Sequence, residues 1–186
     1  VRSLIGAGRK NLIINGDFQV SQRGDYTTAT ATAGNTYFLD RWAYSGTTSS
    51  TIQHTSGYPN STDKNVKLLC TTGTTTYMRV YQKIENPMVG RVQTFSAWVK
   101  SNNANARILF HNGSAYTSSN THSGGGAWEQ LTVTATVVSA GVPWMNIGIL
   151  AASSGNVAIA TNDYIEIANV QLELGSVATD FEHRSY

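Results

Sequence analysis

The chain has 186 residues, which matches one domain of ~100–200 residues and is enough to enclose a core. Only 13% of residues are charged, against about 25% in an average soluble domain, while 40% are hydrophobic and 10% aromatic, a balance that argues against disorder. A net charge of +2 with no basic run excludes a nucleic-acid footprint, no apolar stretch approaches the ~20 residues that span a bilayer, and the single Cys70 excludes an internal disulfide.

Val1–Lys10 is small, glycine-bearing and basic, and reads as a linker or the end of an upstream stalk, with one domain following over 11–186. From Asn11 onward short β-type runs alternate with turn-formers. The expected strands are Asn11–Ile14, Phe38–Tyr44, Thr51–His54, Val66–Thr72, Tyr77–Glu85, Thr94–Lys100, Arg107–His111, Gln130–Val138, Trp144–Ala151, Tyr164–Ile167 and Val170–Leu174. Asn15-Gly16, Ser56-Gly57, Asn112-Gly113 and Gly124-Gly125-Gly126 are among the separators. No window shows helical periodicity. Many strands at this spacing predict an all-β, two-sheet antiparallel sandwich.

Alternation along a strand says which side chains face inward. Met78, Val80 and Ile84 form one side of Tyr77–Glu85, with Gln82 as the polar exception, and Tyr77, Arg79, Tyr81 and Lys83 form the other. Phe95, Ala97 and Val99 leave Trp98 and Lys100 outside; Ile108 and Phe110 leave Arg107 and His111 outside. Aromatic rings interleaved with cations on an outward face suit a sugar, whose C–H patch covers a ring while polar groups take its hydroxyls. The candidate ligand-binding set is Tyr77, Arg79, Tyr81, Trp98, Lys100, Arg107 and His111, provided these strands share one sheet. The opposing reading of Trp98 is the cover of a packed second layer. Trp42 reads as core, Trp128 as core or sheet edge, and Trp144 as either. The cations can be an ordinary solvated face, yet beside aromatics they also suit an acidic saccharide.

Catalytic patterns are missing. A glycosidase needs two carboxyl groups roughly 5–9.5 Å apart, and the acids here are scattered, so no enzyme is expected. His54, His111, His122 and His183 lack metal-ligand spacing.

Asn11-Leu12-Ile13-Ile14-Asn15-Gly16-Asp17-Phe18, Gln22-Arg23-Gly24 and Leu39-Asp40-Arg41-Trp42 resemble the opening of a jelly-roll domain of bacteriophage tail fibres. Tyr81-Gln82-Lys83-Ile84-Glu85 and Phe95-Ser96-Ala97-Trp98-Val99-Lys100-Ser101 resemble strands of the same domain and of carbohydrate-binding modules of glycoside hydrolases. Val170–Arg184 resembles the domain's closing motif. The resemblance implies a jelly roll in a virion tail fibre, extracellular, that attaches without catalysis to host surface polysaccharide or lipopolysaccharide. It also implies a homotrimer joined to an upstream fibre segment. No cofactor is expected beyond a structural Ca²⁺, for which the resemblance suggests Asp17 with Glu166 or Asp163. Alternatives are a structural trimerisation or decoration module of the virion, and a carbohydrate-binding module attached to a glycoside hydrolase.

Overall fold

The structure, a computed structural model, describes residues 10–32, 34–46, 50–58, 63–85, 87–141 and 143–183. The linker expected over residues 1–10 lies, except for Lys10, outside them. Among the described residues there is no helix, and every strand pairing is antiparallel.

The first sheet runs β1 (Thr30–Ala31), β4 (Ser50–Ser56), β5 (Lys64–Cys70), β14 (Tyr164–Leu174), β8 (Val92–Ser101) and β11 (Trp128–Thr136). The second runs β10 (Tyr116–Ser118), β9 (Ala106–His111), β12 (Trp144–Ile149), β7 (Met78–Lys83), β3 (Trp42–Gly46) and β2 (Thr36–Leu39). A small ribbon joins β13 (Val157–Ile159) to β6 (Thr74–Thr76). From β7 to β9 the chain passes from the second sheet to the first and back, and β11, β12 and β14 repeat the alternation. From β7 to β9, therefore, strands adjacent in sequence lie in opposite sheets. The fold is a two-sheet jelly-roll sandwich, as expected.

Apolar alternation builds the core between the sheets. Phe95 and Val99 of β8 and Ile165, Ile167 and Leu172 of β14 are fully buried, as are Val80 of β7, Ile108 and Phe110 of β9, and Met145 and Ile147 of β12. All belong to one hydrophobic cluster, and truncating a ring such as Phe95 to alanine costs about 3–5 kcal/mol.

Four expected strands differ in form. Asn11–Ile14 is not a strand: its amides bond to side chains and to the end of β14 instead of forming a ladder. The Asn11 side chain accepts from Ile13 N (2.9 Å) and Leu172 N (3.2 Å), and Leu12 N donates to Leu172 O at 2.7 Å. Phe38–Tyr44 is split into β2 and β3 by a turn in which Arg41 takes φ of 70°. Tyr164–Ile167 and Val170–Leu174 are one strand, β14, with a bulge between Ala168 and Gln171 where Asn169 adopts φ of 49°.

That bulge receives the opening segment. A Cβ on Gly16 would lie 2.1 Å from Val170 O, so only glycine permits the approach. Trp42, fully buried as expected, donates its indole N–H to Asn15 O at 2.9 Å. The closing segment is tied down similarly, with Thr179 N and its hydroxyl donating to Glu173 at 2.8 and 2.7 Å.

Candidate functional site

The outer face of the second sheet gathers the polar and aromatic groups that its core-facing residues leave over. With Ile108, Phe110, Met145, Ile147 and Val80 inward, parity sends Arg107, Leu109, His111, Trp144, Asn146, Gly148, Arg79, Tyr81 and Lys83 outward. Strand register arranges them in three rows. The first is Tyr116, His111, Trp144 and Lys83; the second is Ser118, Leu109, Asn146, Tyr81, Ala43 and Tyr37; the third is Arg107, Gly148, Arg79 and Ser45.

The rings support one another edge to face. His111 lies 4.8 Å from Tyr116 and 5.6 Å from Trp144, and Tyr81 lies 6.1 Å from Trp144 on its other side. Lys83 Nζ sits 6.0 Å from the Trp144 ring, and the Arg79 guanidinium lies 4.5 Å from the Tyr77 ring. Leu109 and Asn146 are buried beneath this framework, yet Leu109 is no part of the core cluster between the sheets. They form the floor of the face.

Three donors here have no partner: Trp144 Nε1, Asn146 Nδ2 and Arg79 Nε, all buried. Buried polar groups are almost always hydrogen-bonded, and leaving one unmet costs about 1–3 kcal/mol. Each of the three is a donor the protein covers without supplying an acceptor.

Burial also tunes the titrating groups. It pushes the His111 imidazole below its ordinary value, so the ring is neutral at pH 7. Gly113 N–H points at His111 Nδ1 at 3.3 Å, which leaves the proton on Nε2 as a further donor. Burial raises the Tyr81 phenol, with Tyr37 adding to the effect and Arg79 opposing it, so its hydroxyl stays protonated.

Arg79, Tyr81, Arg107 and His111 thus share one face, with Tyr77 beside Arg79. Trp98 and Lys100 do not join them, which corrects the expectation of a single platform. Both project from β8 in the first sheet, on the opposite outer surface. Lys100 Nζ lies 3.6 Å from Glu166, which it shares with Lys67 at 3.8 Å. Trp98 is flanked by Tyr58 at 5.0 Å, and Tyr58 stacks on Trp128 at 4.5 Å. Tyr58 thus bridges Trp98 and Trp128, and all three rings are half-buried. Trp98 and Tyr58 line a separate cleft of about 770 Å³ together with Asp17, Asp63, Asp180 and His183.

Trp144, Asn146, Lys83, Tyr37 and Tyr116 complete the second-sheet face and were not among the expected set. For Trp144 and Asn146 the signal was present: Met145, Ile147 and Ile149 alternate as a core face and leave them outward.

The carboxylates suggested for Ca²⁺ are apart and engaged. Asp17 pairs with His183, Glu166 stands between two lysines, and Asp163 accepts from Asn103 at 2.6 Å and from Ala160 N at 2.7 Å. Among the described residues no three His, Cys, Asp or Glu side chains are grouped so that they could hold a metal ion. This donor set does not fit the ion.

No protein-family model matches the chain, and no curated protein sequence does. Solved structures are similar in fold. The enzymatically active domain of tailspike protein 4 of bacteriophage CBA120 aligns with a TM-score of 0.56 at 17% identity, covering 88% of this chain but only 21% of that one. TmCBM61, solved in complex with β-1,4-galactotriose, gives 0.53 at 12% identity over 89% of this chain and 99% of its own. A sugar-binding protein of Bacteroides thetaiotaomicron, described from its crystal structure as putative, gives 0.52 at 12% identity over 89% and 100%. The likeness is one of fold: a two-sheet β-sandwich of the kind seen in TmCBM61.

Proposed function

We propose that this domain binds glycan, without catalysis, on the outer face of the second sheet, and serves as the receptor-binding domain of a phage tail fibre. The carrying observation is one face that holds the rings of Tyr81, Trp144 and His111 together with the unpartnered donors of Trp144, Asn146 and Arg79. A sugar supplies both halves of what this face lacks, an apolar C–H surface for the rings and hydroxyl oxygens for the donors. The fold supports the reading, since TmCBM61 holds a galactotriose and the CBA120 protein comes from a phage tailspike. Binding without turnover is supported by the placement of the acids: none lies within the six strands of this sheet, and Glu166 and Glu173 are engaged in ion pairs and hydrogen bonds. Host surface polysaccharide or lipopolysaccharide is the proposed partner, bound weakly per site and strengthened by several copies. The test is a glycan array probed with the domain, followed by titration of each hit. Saturable binding of a glycan without release of shorter fragments supports the proposal; no binding to any glycan, or cleavage, contradicts it.

A homotrimer has its own support. Met88, Val89, Val92, Val138, Leu174 and Val177 are exposed large apolar side chains, and backbone bonds Gly90–Val137 and Gly175–Val92 place their segments at one end of the sandwich. Such a patch suits an intersubunit contact. Mass measurement in solution decides: a trimer reduced to monomer by Val89→Lys with Val177→Lys is expected, and a monomer in the wild type overturns this reading.

A further inference from the structure

The six strands of the second sheet contain Arg79, Lys83, Arg107 and His111 and not one aspartate or glutamate. Three cations elsewhere are in ion pairs: Arg41 pairs with Glu85, and Lys67 and Lys100 share Glu166. Arg79 and Arg107 take part in no ion pair among the described residues. A solvated face of scattered cations is the ordinary explanation for such residues, but these two are neither scattered nor fully solvated.

Register sets both of them opposite Gly148, one from each side. Neighbouring strands lie about 4.8 Å apart, so their Cα atoms are about 9.6 Å apart, with a residue that has no side chain between them. A Cβ on Gly148 would come 2.2 Å from Met78 O and 2.6 Å from the Arg79 Cβ, so only glycine fits there and no side chain stands between the two arginines. Both guanidinium groups contact the same end of the sheet. Arg79 bonds the Ser154 hydroxyl and lies by Tyr77, while Arg107 Nε reaches Asn105 O at a long 3.5 Å. Arg79 Nε is buried without a partner, and burial pushes the Arg107 guanidinium below its ordinary value. Two partly desolvated cations repel each other and leave donors unmet, a cost that sugar hydroxyls relieve only in part. A negative group relieves both at once, and guanidinium matches planar oxyanions in pairs of bonds.

We infer that Arg79 and Arg107, flanking Gly148 on this face, together receive an oxyanion of the glycan, so the ligand is an acidic saccharide. This rests on the reading of the face as a glycan site. Lys83 stands four residues along β7 from Arg79, about 13 Å away, and adds positive charge further down the same face.

The experiment is titration of the domain with glycans of matched backbone, each in neutral form and bearing a carboxylate, phosphate or sulfate. Acidic members are expected to bind at least about tenfold tighter than their neutral partners, the three acidic arms showing which oxyanion fits. That preference falls as salt is raised, and Arg107→Gln and Arg79→Gln bring the acid-to-neutral ratio toward one. Should Arg79→Gln fail to fold for want of its Tyr77 and Ser154 contacts, Arg107→Gln and the salt dependence still decide. Equal binding of neutral and acidic members, or a ratio unmoved by Arg107→Gln, overturns the inference and leaves the glycan site standing. No binding to either form sinks the site itself.

Discussion

Gln82 and Ile14 exchange two hydrogen bonds: Ile14 N donates to Gln82 Oε1 at 3.0 Å, and Gln82 Nε2 donates to Ile14 O at 2.8 Å. The side-chain amide stands in for a strand partner and fastens the opening segment to the inner side of β7, at a position where the apolar pattern is broken. Replacing Gln82 with alanine strands the Ile14 amide and carbonyl. A loss of about 1–3 kcal/mol in urea unfolding is expected, with glycan affinity unchanged because Gln82 faces away from the binding face.

Trp144→Ala and Tyr81→Ala remove rings whose stacking is worth about 0.5–1.5 kcal/mol each beyond buried area, and Trp144→Ala also deletes an unpartnered donor. Each variant is expected to weaken glycan binding by about tenfold in calorimetric titration, while Trp98→Ala on the opposite surface leaves it within about twofold. Loss of affinity in Trp98→Ala alone would move the site to the first sheet.

Gly148→Ala tests the packing under the face. The added methyl would meet Met78 O at 2.2 Å, so β12 must shift against β7. A destabilisation of about 1–3 kcal/mol is expected together with weaker glycan binding, since Trp144 and Asn146 ride on the same strand.

His54 is buried with neither ring nitrogen partnered, edge-on to Tyr26 at 6.2 Å. Burial pushes its imidazole below the ordinary value, Lys64 adds to this, and Asp25 opposes it. The unfolded chain therefore takes up a proton at higher pH than the folded one. Stability is fully present above the ordinary histidine value, falls as pH drops through it, and levels off once the folded form protonates too. Melting curves between about pH 7 and about pH 5 should show a shallower acid loss in His54→Leu than in wild type. Identical slopes would contradict the assignment.

Much of the fold was legible because alternation is a local property. Phe95, Val99, Ile108 and Phe110 declare their inward faces within five residues, and the separators carry turn chemistry. What the local pattern does not contain is sheet membership. Tyr81 and Trp98 look alike in sequence, both outward rings beside a lysine, yet the chain changes sheets between β7 and β8 and puts them on opposite surfaces. Asn11–Ile14 misled for a related reason: its apolar residues are buried by long-range bonds to Leu172 and Gln82, and not by a ladder. Short edge strands such as β1 and β10 have too few residues to show a period.

The most direct test of where the ligand lies is the indole N–H region of a ¹H–¹⁵N spectrum, recorded as glycan is added. Of the four tryptophans, Trp42 donates to Asn15 inside the sandwich, Trp98 and Trp128 sit with Tyr58 on the first sheet, and Trp144 holds an indole N–H without a partner on the second. The Trp144 signal should move on titration while the other three stay in place; movement of Trp98 and Trp128 with Trp144 unmoved would contradict the account.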